Sequence, residues 1–196
     1  MPRRHVFMTR HGETDWNAEG RWQGHTDIPL NANGRDQARA VARALRDARL
    51  PAVVSSDLQR AHETARIIAA ELGVPVAYTD PDLRERMFGV FEGLTRGECE
   101  RLHPEAWRAW IEEQKPATGV ELPESVAARV AAAVGRAVDR FEPSGGPVLL
   151  VSHGGALRQA VRLATGQQPA PIANGAIWRI AWDGRIVAAE PVPAAS

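Results

Sequence analysis

The chain has 196 residues, of which 44% are hydrophobic and 24% are charged, and its formal net charge at pH 7 is zero. A chain of this length is expected to form one domain with a sizeable core, and the composition is ordinary for a soluble globular protein. Because the net charge is zero, we expect no binding to nucleic acid or to an anionic membrane, and the lack of a basic stripe with interleaved aromatic residues also argues against nucleic acid. Any site for an anion must therefore be local.

The number of cysteines and the first residues of the chain indicate the cellular compartment in which we expect the protein. Cys99 is the one cysteine, so no disulfide can form within the chain and an intracellular protein is the default expectation. No apolar stretch reaches the roughly 18 residues of a membrane helix, and the chain runs directly into Val6-Phe7-Met8 without the pattern of a signal peptide. We expect a cytoplasmic protein with no membrane partner.

The first predicted element is a strand over residues 6–8, a short apolar run that suits a sheet buried on both faces. Arg10, His11 and Gly12 follow it directly. Ligands of open α/β sheets bind beyond the carboxyl ends of the strands, which is where this Arg-His pair would lie. An arginine matches phosphoryl oxygens and a neutral imidazole can attack phosphorus, although a lone histidine in such a place is more often a packing residue.

A long polar connection over residues 15–33 contains Trp16 and Trp22. Connections of this length inside a compact domain are usually functional or disordered, and the two tryptophans favour an ordered segment in the wall of a site. A helix is predicted to start at Asn33 and Gly34, because apolar residues follow at helical spacing. The residues of this apolar stripe are Ala38, Val41, Ala42 and Leu45.

A second strand is predicted over residues 52–55, and the four residues from Ser56 to Gln59 have the form of a capping box that starts the next helix. Arg60 then falls in the first turn of this helix. Because the helix dipole disfavours a cation there, Arg60 either meets an anion or is a solvated arginine on an exposed face. The local pattern leaves both interpretations open.

The middle of the chain contains a third strand and several short elements. Residues 74–78 are predicted to form a strand towards the edge of the sheet, because Pro75 lacks a backbone donor. Glu85 lies between two arginines, an arrangement that is usually a surface ion pair. The rest of the region is predicted as a helix over 95–102 capped by Thr95, a helix that starts at Pro104 and a loop over 115–123.

The arrangement of strand, histidine and glycine recurs near the end of the chain. An apolar strand over residues 147–151 leads to Ser152, His153, Gly154 and Gly155, and a helix is predicted over residues 157–164. Two such strands would deliver His11 and His153 to the same rim of the sheet, which favours a functional pair over two packing residues. The backbone N–H groups of the two glycines are expected to be open to an anion at the helix start.

Two further elements complete the predicted fold: a long helix over residues 125–141, and a C-terminal hairpin of strands 176–182 and 185–189 joined by Asp183-Gly184. Strands that alternate with helices predict an α/β fold, a three-layer α/β/α sandwich with a mostly parallel sheet and this antiparallel hairpin at its end. We expect residues 1–196 to form a single domain with a small helical cap around residues 95–123.

Many of these residues belong to short motifs that follow one another in the order of a known family. The motifs are Arg10-His11-Gly12-Glu13-Thr14, Trp16-Asn17, Gln23-Gly24, Ser55-Ser56-Asp57-Leu58, Arg60-Ala61, Leu83-Arg84-Glu85, Phe88-Gly89, Glu92-Gly93-Leu94 and Ser152-His153-Gly154-Gly155. Together they closely resemble the histidine phosphatase superfamily, specifically its phosphoglycerate mutase-like branch. The resemblance runs from residue 4 to about residue 165.

The resemblance implies a role for each matched residue. His11 would be the nucleophile that takes the phosphoryl group as phosphohistidine, and Glu85 the general acid for the leaving oxygen and then the base that activates water. The other implied residues are Arg10, Arg60 and His153, which clamp the phosphoryl oxygens, and Asn17, Thr14, Gln23, Gly24 and Gly154, which lie near or contact the substrate. The family needs no metal and no cofactor for this chemistry, and the implied partner is a small phosphorylated metabolite.

Three functions remain open at this point. The short stretch between Leu94 and Glu124 is similar to small phosphatases and favours hydrolysis of a phosphomonoester. Glu85-Arg86 instead resembles the cofactor-dependent phosphoglycerate mutases, and a catalytically silent phosphoester-binding protein is the remote third alternative. The sequence identifies neither the substrate nor the hydrogen-bond acceptor that orients the His11 ring. It also leaves open whether the chain forms a homodimer.

Overall fold

The computed structural model of the protein describes residues 4–113, 115, 117–141 and 146–193. The strands are β1 (Arg4–Arg10), β2 (Val53–Ser55), β3 (Val76–Thr79), β4 (Leu149–Ser152), β5 (Ile177–Trp182) and β6 (Ile186–Val192). The α-helices are α1 (Asp15–Ala18), α2 (Ala32–Ala44), α3 (Gln59–Leu72), α4 (Arg96–Leu102), α5 (Pro104–Ile111), α6 (Pro123–Phe141) and α7 (Gly154–Thr165). Short 3-10 turns are formed by Arg46–Ala48, Pro81–Leu83 and Gly89–Phe91.

The strands form one six-stranded sheet in the order β3-β2-β4-β1-β5-β6. β1 pairs in parallel with β4, and β2 pairs in parallel with both β3 and β4. β5 runs antiparallel to β1, and β6 runs antiparallel to β5. The predicted sheet, mostly parallel with a C-terminal antiparallel hairpin, is therefore confirmed. β3 lies at an edge of the sheet, as predicted from Pro75, which directly precedes the strand.

The side chains of the central strands alternate between two hydrophobic clusters. Val6 and Met8 of β1 pack with α6 and α7, whereas Phe7, which lies between them, packs with α2 and α3. In β4, Leu150 faces the first cluster and Leu149 the second. Because helices cover both faces of the sheet, these strands are continuous apolar runs, and the predicted three-layer sandwich is confirmed.

A third, smaller cluster lies within residues 88–120. Phe91 and Trp107 are buried there, and the ring of Trp110 stacks on that of Phe91 with 5.1 Å between the centroids. Thr95 caps the helix α4 as predicted, and Glu98 completes a capping box with it. The division into one domain with a small helical cap stays a prediction.

Three helices start earlier than predicted, and one of them is α6, which begins at Pro123 and not at residue 125. α2 begins at Ala32, because the side chain of Asn31 accepts a hydrogen bond from the backbone N–H of Gly34 at 2.9 Å. α7 begins at Gly154, directly after its N-cap residue His153, so this histidine belongs to the helix start as well as to the strand end. Within the described residues, none of the helices is long and apolar enough to cross a membrane.

The predicted capping box before α3 is wrong. Ser56, the capping residue of that box, accepts from the backbone N–H of Leu58 at 3.3 Å and not from that of Gln59. The backbone N–H of Gln59 donates instead to Oδ1 of Asp27 at 2.7 Å. This cap comes from 32 residues away, so local sequence could not show it, and it ties the long connection after α1 to the helix that carries Arg60.

Candidate active site

The two histidines lie side by side because β1 and β4 are parallel neighbours. Arg10 is in register with Ser152, and the backbone N–H of His11 donates to the carbonyl of Ser152 at 2.9 Å. The ring centroids of His11 and His153 are 5.0 Å apart, and both side chains are almost fully buried. The structure therefore brings both histidines to the same rim of the sheet, as the sequence predicted.

The His11 ring is oriented by the backbone. Its Nδ1 lies 2.6 Å from the carbonyl oxygen of Gly12, and because a carbonyl can only accept, Nδ1 carries the proton. Nε2 is then the unprotonated nitrogen, and it accepts a hydrogen bond from Nε of Arg60 at 3.3 Å. The acceptor that the sequence could not identify is thus the carbonyl of the following residue.

Gly12 is held in a space that admits no side chain. A Cβ on this residue would lie 2.1 Å from the carbonyl oxygen of Gly34 at the start of α2. On the other side, the backbone N–H of Gly12 donates to Oγ1 of Thr64 on α3 at 3.1 Å. The turn after β1 is therefore fixed between two helices, which fixes the carbonyl that orients His11.

Both histidine rings are neutral at neutral pH. Burial lowers the pKa of His11 well below the usual 6.5, and the nearby cations of Arg60 and Arg10 lower it further, against the effect of the Gly12 hydrogen bond. Burial, with the same arginines contributing, also holds the pKa of His153 well below its usual value. A neutral His11 keeps the lone pair on Nε2, which is the form that a nucleophile requires.

Arg60 is a fully buried cation. Its Nη1 donates to the carbonyl of Thr26 at 2.9 Å and its Nη2 to the carbonyl of Gly24 at 2.7 Å. Burial lowers the pKa of Arg60 to about 10, so the side chain stays charged at neutral pH. Of the two interpretations left open by the sequence, the solvated arginine on an exposed face is wrong, because this cation is buried against His11.

Several buried polar atoms near the two histidines lack a hydrogen-bond partner among the described residues. They are Nε of Arg10, both ring nitrogens of His153 and Oε1 of Gln23. Arg10 itself is anchored by Nη1, which donates to the carbonyl of Ile172 at 2.7 Å. Buried polar groups are nearly always paired in native proteins, so the unpaired donors among these atoms, Nε of Arg10 and the protonated ring nitrogen of His153, indicate the place of a ligand with acceptor oxygens. Oε1 of Gln23 is an acceptor and would need a donor on the ligand.

Glu85 lines the same cavity as His11. Its Oε1 accepts from the backbone N–H of Arg86 at 2.7 Å, and its Oε2 accepts from the backbone N–H of Gly155 at 3.0 Å. The expectation that the N–H of Gly155 is open to an anion is therefore wrong, because the carboxylate takes it. Gly154, the first residue of α7, does line the cavity.

Arg129 on α6 fixes the main chain around Glu85. Its Nη1 donates to the carbonyls of Asp82 and Arg84, at 2.9 and 2.6 Å, and its Nη2 donates to the carbonyl of Glu85 at 2.9 Å. Glu121 orients the guanidinium by accepting from Nε and Nη2, each at 2.8 Å. The segment that carries Glu85 is thus tied to a helix of the sandwich.

The cavity beside the histidines has a volume of about 190 Å³. The predicted site residues in its lining are Arg10, His11, Asn17, Gln23, Arg60, Glu85 and Gly154. Three others lie outside the lining: Thr14 caps α1, Gly24 presents its carbonyl to Arg60, and His153 is buried beside the His11 ring. The Oδ1 of Asn17 accepts from the N–H of Thr14 and from Nδ2 of Asn174, which leaves Nδ2 of Asn17 as a donor for a ligand.

The lining also contains Gly155, whose N–H the sequence had marked for an anion, and residues that the sequence did not identify as site residues, namely Arg21, Trp22, Phe88, Arg158, Pro171 and Ile172. Arg21 and Trp22 come from the long connection, which was expected to form part of the wall. Arg158 lies on α7 and Pro171 in the loop before β5, and no motif marks either residue. Asn174 in the same loop donates to the carbonyl of His11 at 2.9 Å, again without a signal in the sequence.

Comparison with known proteins decides the family. Residues 6–186 match the histidine phosphatase superfamily (branch 1). The chain belongs to this superfamily. Phosphoglycerate mutase-like protein 4 of Arabidopsis thaliana is 41% identical over 160 residues, which cover 78% of this chain and 67% of that protein.

Relatives of this superfamily member also include proteins named as phosphatases. The metal-independent phosphoserine phosphatase of Arabidopsis thaliana is 39% identical over 157 residues, which cover 78% of this chain and 65% of that protein. The structure of a mycobacterial glucosyl-3-phosphoglycerate phosphatase in complex with VO3 superposes with a TM-score of 0.83 at 33% identity, over 98% of this chain and 100% of that one. The relatives thus include both mutase-like proteins and phosphatases.

The buried neutral histidines predict a loss of stability on mild acidification. In the unfolded chain both rings titrate near pH 6.5, whereas their folded pKa values lie lower, so unfolding takes up protons in the interval between. The free energy of unfolding therefore keeps its full value above about pH 6.5 and decreases as the pH falls below it. The limiting slope of this decrease is about 1.4 kcal/mol per pH unit for each histidine.

Urea unfolding between pH 7 and pH 5 measures this slope. The variant His153→Asn should show a smaller slope than the wild type, because one ring no longer takes up a proton on unfolding. Equal slopes in the two proteins would contradict the neutral, buried state of His153.

Proposed function

We propose that the protein is a metal-independent phosphomonoesterase that hydrolyses a small phosphorylated metabolite through a phosphohistidine on Nε2 of His11. The observation that carries this proposal is the neutral ring of His11, with Nδ1 bound to Gly12 and Nε2 beside the buried cation of Arg60. The unpaired Nε of Arg10 supports an anion at the same place.

In the first half-reaction, Nε2 of His11 attacks phosphorus while the ester P–O bond breaks. The protonated carboxyl of Glu85 gives its proton to the leaving oxygen, which departs as an alcohol. The ring becomes a phosphorylated imidazolium whose Nδ1–H still donates to Gly12. The groups that stabilise the charge on the transferring oxygens are Arg10, Arg60, His153, Nδ2 of Asn17 and the N–H of Gly154.

In the second half-reaction, the carboxylate of Glu85 takes a proton from a water molecule as its oxygen attacks phosphorus. The N–P bond breaks, inorganic phosphate leaves, and Nε2 of His11 recovers its lone pair. Glu85 ends protonated and is ready for the next ester. Hydrolysis of phosphate monoesters is so slow in water that an enzyme lowers the barrier by roughly 20 kcal/mol or more, which requires several fixed cations and donors acting together.

The proposed mechanism has no step that needs a metal ion. The positive charge near the phosphoryl group comes from the guanidinium groups of Arg10 and Arg60, which burial keeps in place. We therefore expect activity to survive EDTA, as the name of the metal-independent phosphoserine phosphatase also indicates for that relative.

Hydrolysis is favoured over phosphoryl transfer between metabolites. The chain aligns over nearly its full length with the mycobacterial phosphatase, which supports the prediction drawn from the short 95–123 segment. The second candidate, a cofactor-dependent phosphoglycerate mutase, is favoured by Glu85-Arg86 and by the relative named phosphoglycerate mutase-like protein 4. A silent phosphoester-binding protein would retain the site residues without turnover.

Hydrolysis of p-nitrophenyl phosphate and a panel of phosphomonoesters in EDTA tests the proposal. Wild-type protein should release phosphate, and His11→Ala should lose at least about 10³-fold in kcat, because no other group can form the covalent intermediate. His103→Ala, a histidine at the start of α5, is the matched control and should keep wild-type activity.

Three results would contradict the proposal. Full activity in His11→Ala would exclude the phosphohistidine. Rapid interconversion of 2- and 3-phosphoglycerate primed by bisphosphoglycerate, with poor hydrolysis of every ester, would instead establish the mutase. Binding of esters without either reaction would establish the silent protein.

The contacts of Arg129 predict that it is a positioning residue for Glu85. In Arg129→Lys the charge stays, but a lysine cannot reach three carbonyls and Glu121 at once, so kcat should fall by about tenfold with little change in KM. The fall should be larger for glycerol phosphate than for p-nitrophenyl phosphate, whose leaving group needs less help from an acid.

The matched control is Arg136→Lys on the same helix, where the arginine contacts Asp80 and Asp82 and not Glu85. This control should leave kcat within about twofold of the wild type. Equal losses on both substrates, or equal effects of the two variants, would show that Arg129 has only a structural role.

A further inference from the structure

The peptide group between Glu85 and Arg86 is hydrogen-bonded on both of its sides. Its N–H donates to Oε1 of the Glu85 carboxylate at 2.7 Å. Its carbonyl oxygen lies 2.8 Å from Nε2 of His25 and 2.9 Å from Nη2 of Arg129. Because a carbonyl can only accept, Nε2 of His25 carries a proton and is the donor.

The two donors on the carbonyl oxygen fix the direction of the N–H on the other side, because a peptide group is planar. This N–H holds one oxygen of the Glu85 carboxylate, and the N–H of Gly155 holds the other at 3.0 Å. Hydrogen bonds in a chain also polarise one another, so a donor on the carbonyl makes the N–H a better donor. The orientation of the carboxylate therefore depends on the contacts of the Glu85 carbonyl.

His25 belongs to the long connection whose carbonyls hold Arg60. Its neighbours Gly24 and Thr26 accept from the Arg60 guanidinium at 2.7 and 2.9 Å. The ring of His25 is half-buried, and it is not among the described residues that line the cavity beside the two histidines of the sheet rim. His25 thus reaches Glu85 from the segment that holds the buried cation, without touching the space for the substrate.

The carboxylate of Glu92 fixes the main chain that carries the His25 ring. Its Oε1 accepts from the backbone N–H groups of His25 and Phe88, each at 3.1 Å. Its Oε2 accepts from the backbone N–H of Thr26 at 3.0 Å. Segments 24–26 and 85–88 are therefore joined at two points, by this carboxylate and by the His25 ring.

We propose that His25 is a positioning residue for the general acid. Its ring holds the peptide group after Glu85 in the plane that aims the Glu85 carboxyl at the leaving oxygen, so one connection sets both the acid and the cation of Arg60. This inference rests on the proposed function and deepens it. A misplacement of a reacting group by about 1 Å can cost about 100-fold in rate, so one contact to the backbone has a measurable effect.

Two amide variants that differ by one methylene group test the proposal. The amide nitrogen of His25→Gln can take the position of Nε2, whereas that of His25→Asn reaches only the position of Nδ1. For glycerol 3-phosphate, kcat/KM should fall about tenfold in His25→Asn and stay within about threefold of the wild type in His25→Gln. His25→Phe, which keeps the ring volume without the donor, should behave like His25→Asn.

Two further kinetic measurements separate positioning from a general structural role. For p-nitrophenyl phosphate, whose leaving group needs little help from an acid, the fall in His25→Asn should be less than about threefold. The inhibition constant of inorganic phosphate should stay within about twofold of the wild type, because the contacts of Arg60 remain.

Hydrogen exchange gives a readout that does not need turnover. The backbone N–H of Arg86 should exchange at least about fivefold faster in His25→Asn than in the wild type, and at the wild-type rate in His25→Gln, as measured by NMR. The matched control is His103→Asn, since His103 is also half-buried and its ring lies edge-on to Phe91 in the small cluster. This control should change neither the kinetics nor the exchange of Arg86.

Several results would overturn the inference. Equal losses on the two esters, or a loss matched by weaker binding of phosphate, would show that His25 has only a structural role. Wild-type kinetics in His25→Asn and His25→Phe, or the same loss in His25→Gln as in His25→Asn, would show that the donor on the ring is not needed.

Failure of this inference can be told apart from failure of the proposed function. If wild-type protein hydrolyses both esters and the His25 variants do so equally well, only the role of His25 is wrong. If the wild type hydrolyses no ester but the exchange of Arg86 responds to the variants as expected, the contact of His25 is right and the phosphatase reaction is wrong.

Discussion

The site depends on one buried cation, the guanidinium of Arg60. Removing a charge from water costs several kcal/mol unless hydrogen bonds replace the lost solvation. Here the carbonyls of Gly24 and Thr26 and Nε2 of His11 replace it. The same cation helps to keep the pKa of His11 low, so the charge that would bind a phosphoryl group also maintains the nucleophile in its neutral form.

The carbonyls around Arg60 are themselves held in place by Glu92. This carboxylate accepts from the backbone N–H groups of His25, Thr26 and Phe88 and from the hydroxyl of Thr26. Although burial raises the pKa of Glu92, these hydrogen bonds outweigh it and hold the pKa below its usual value, so the carboxylate stays charged. The long polar connection is therefore ordered by buried hydrogen bonds, in addition to its tryptophans.

Much of this architecture could be predicted from the sequence because it follows from local patterns. Continuous apolar runs showed the strands of a covered sheet, and the repeated order of strand, histidine and glycine placed His11 beside His153. Arg60 stood out because a cation in the first turn of a helix needs a partner. Contacts between distant segments left no such signal in the sequence. Sequence analysis therefore missed the Asp27 cap of α3, the hydrogen bonds from Arg129 to the segment of Glu85, and the contact of Asn174 with His11.

The most direct test is to trap the covalent intermediate. Wild-type protein is mixed with a phosphomonoester, the reaction is quenched rapidly without acid, and the labelled peptide is analysed by ³¹P NMR and mass spectrometry. The hydrogen bond between Nδ1 of His11 and Gly12 predicts phosphorylation of His11 on Nε2. A phosphoryl group on Nδ1, on another residue, or on no residue during active hydrolysis would contradict the mechanism.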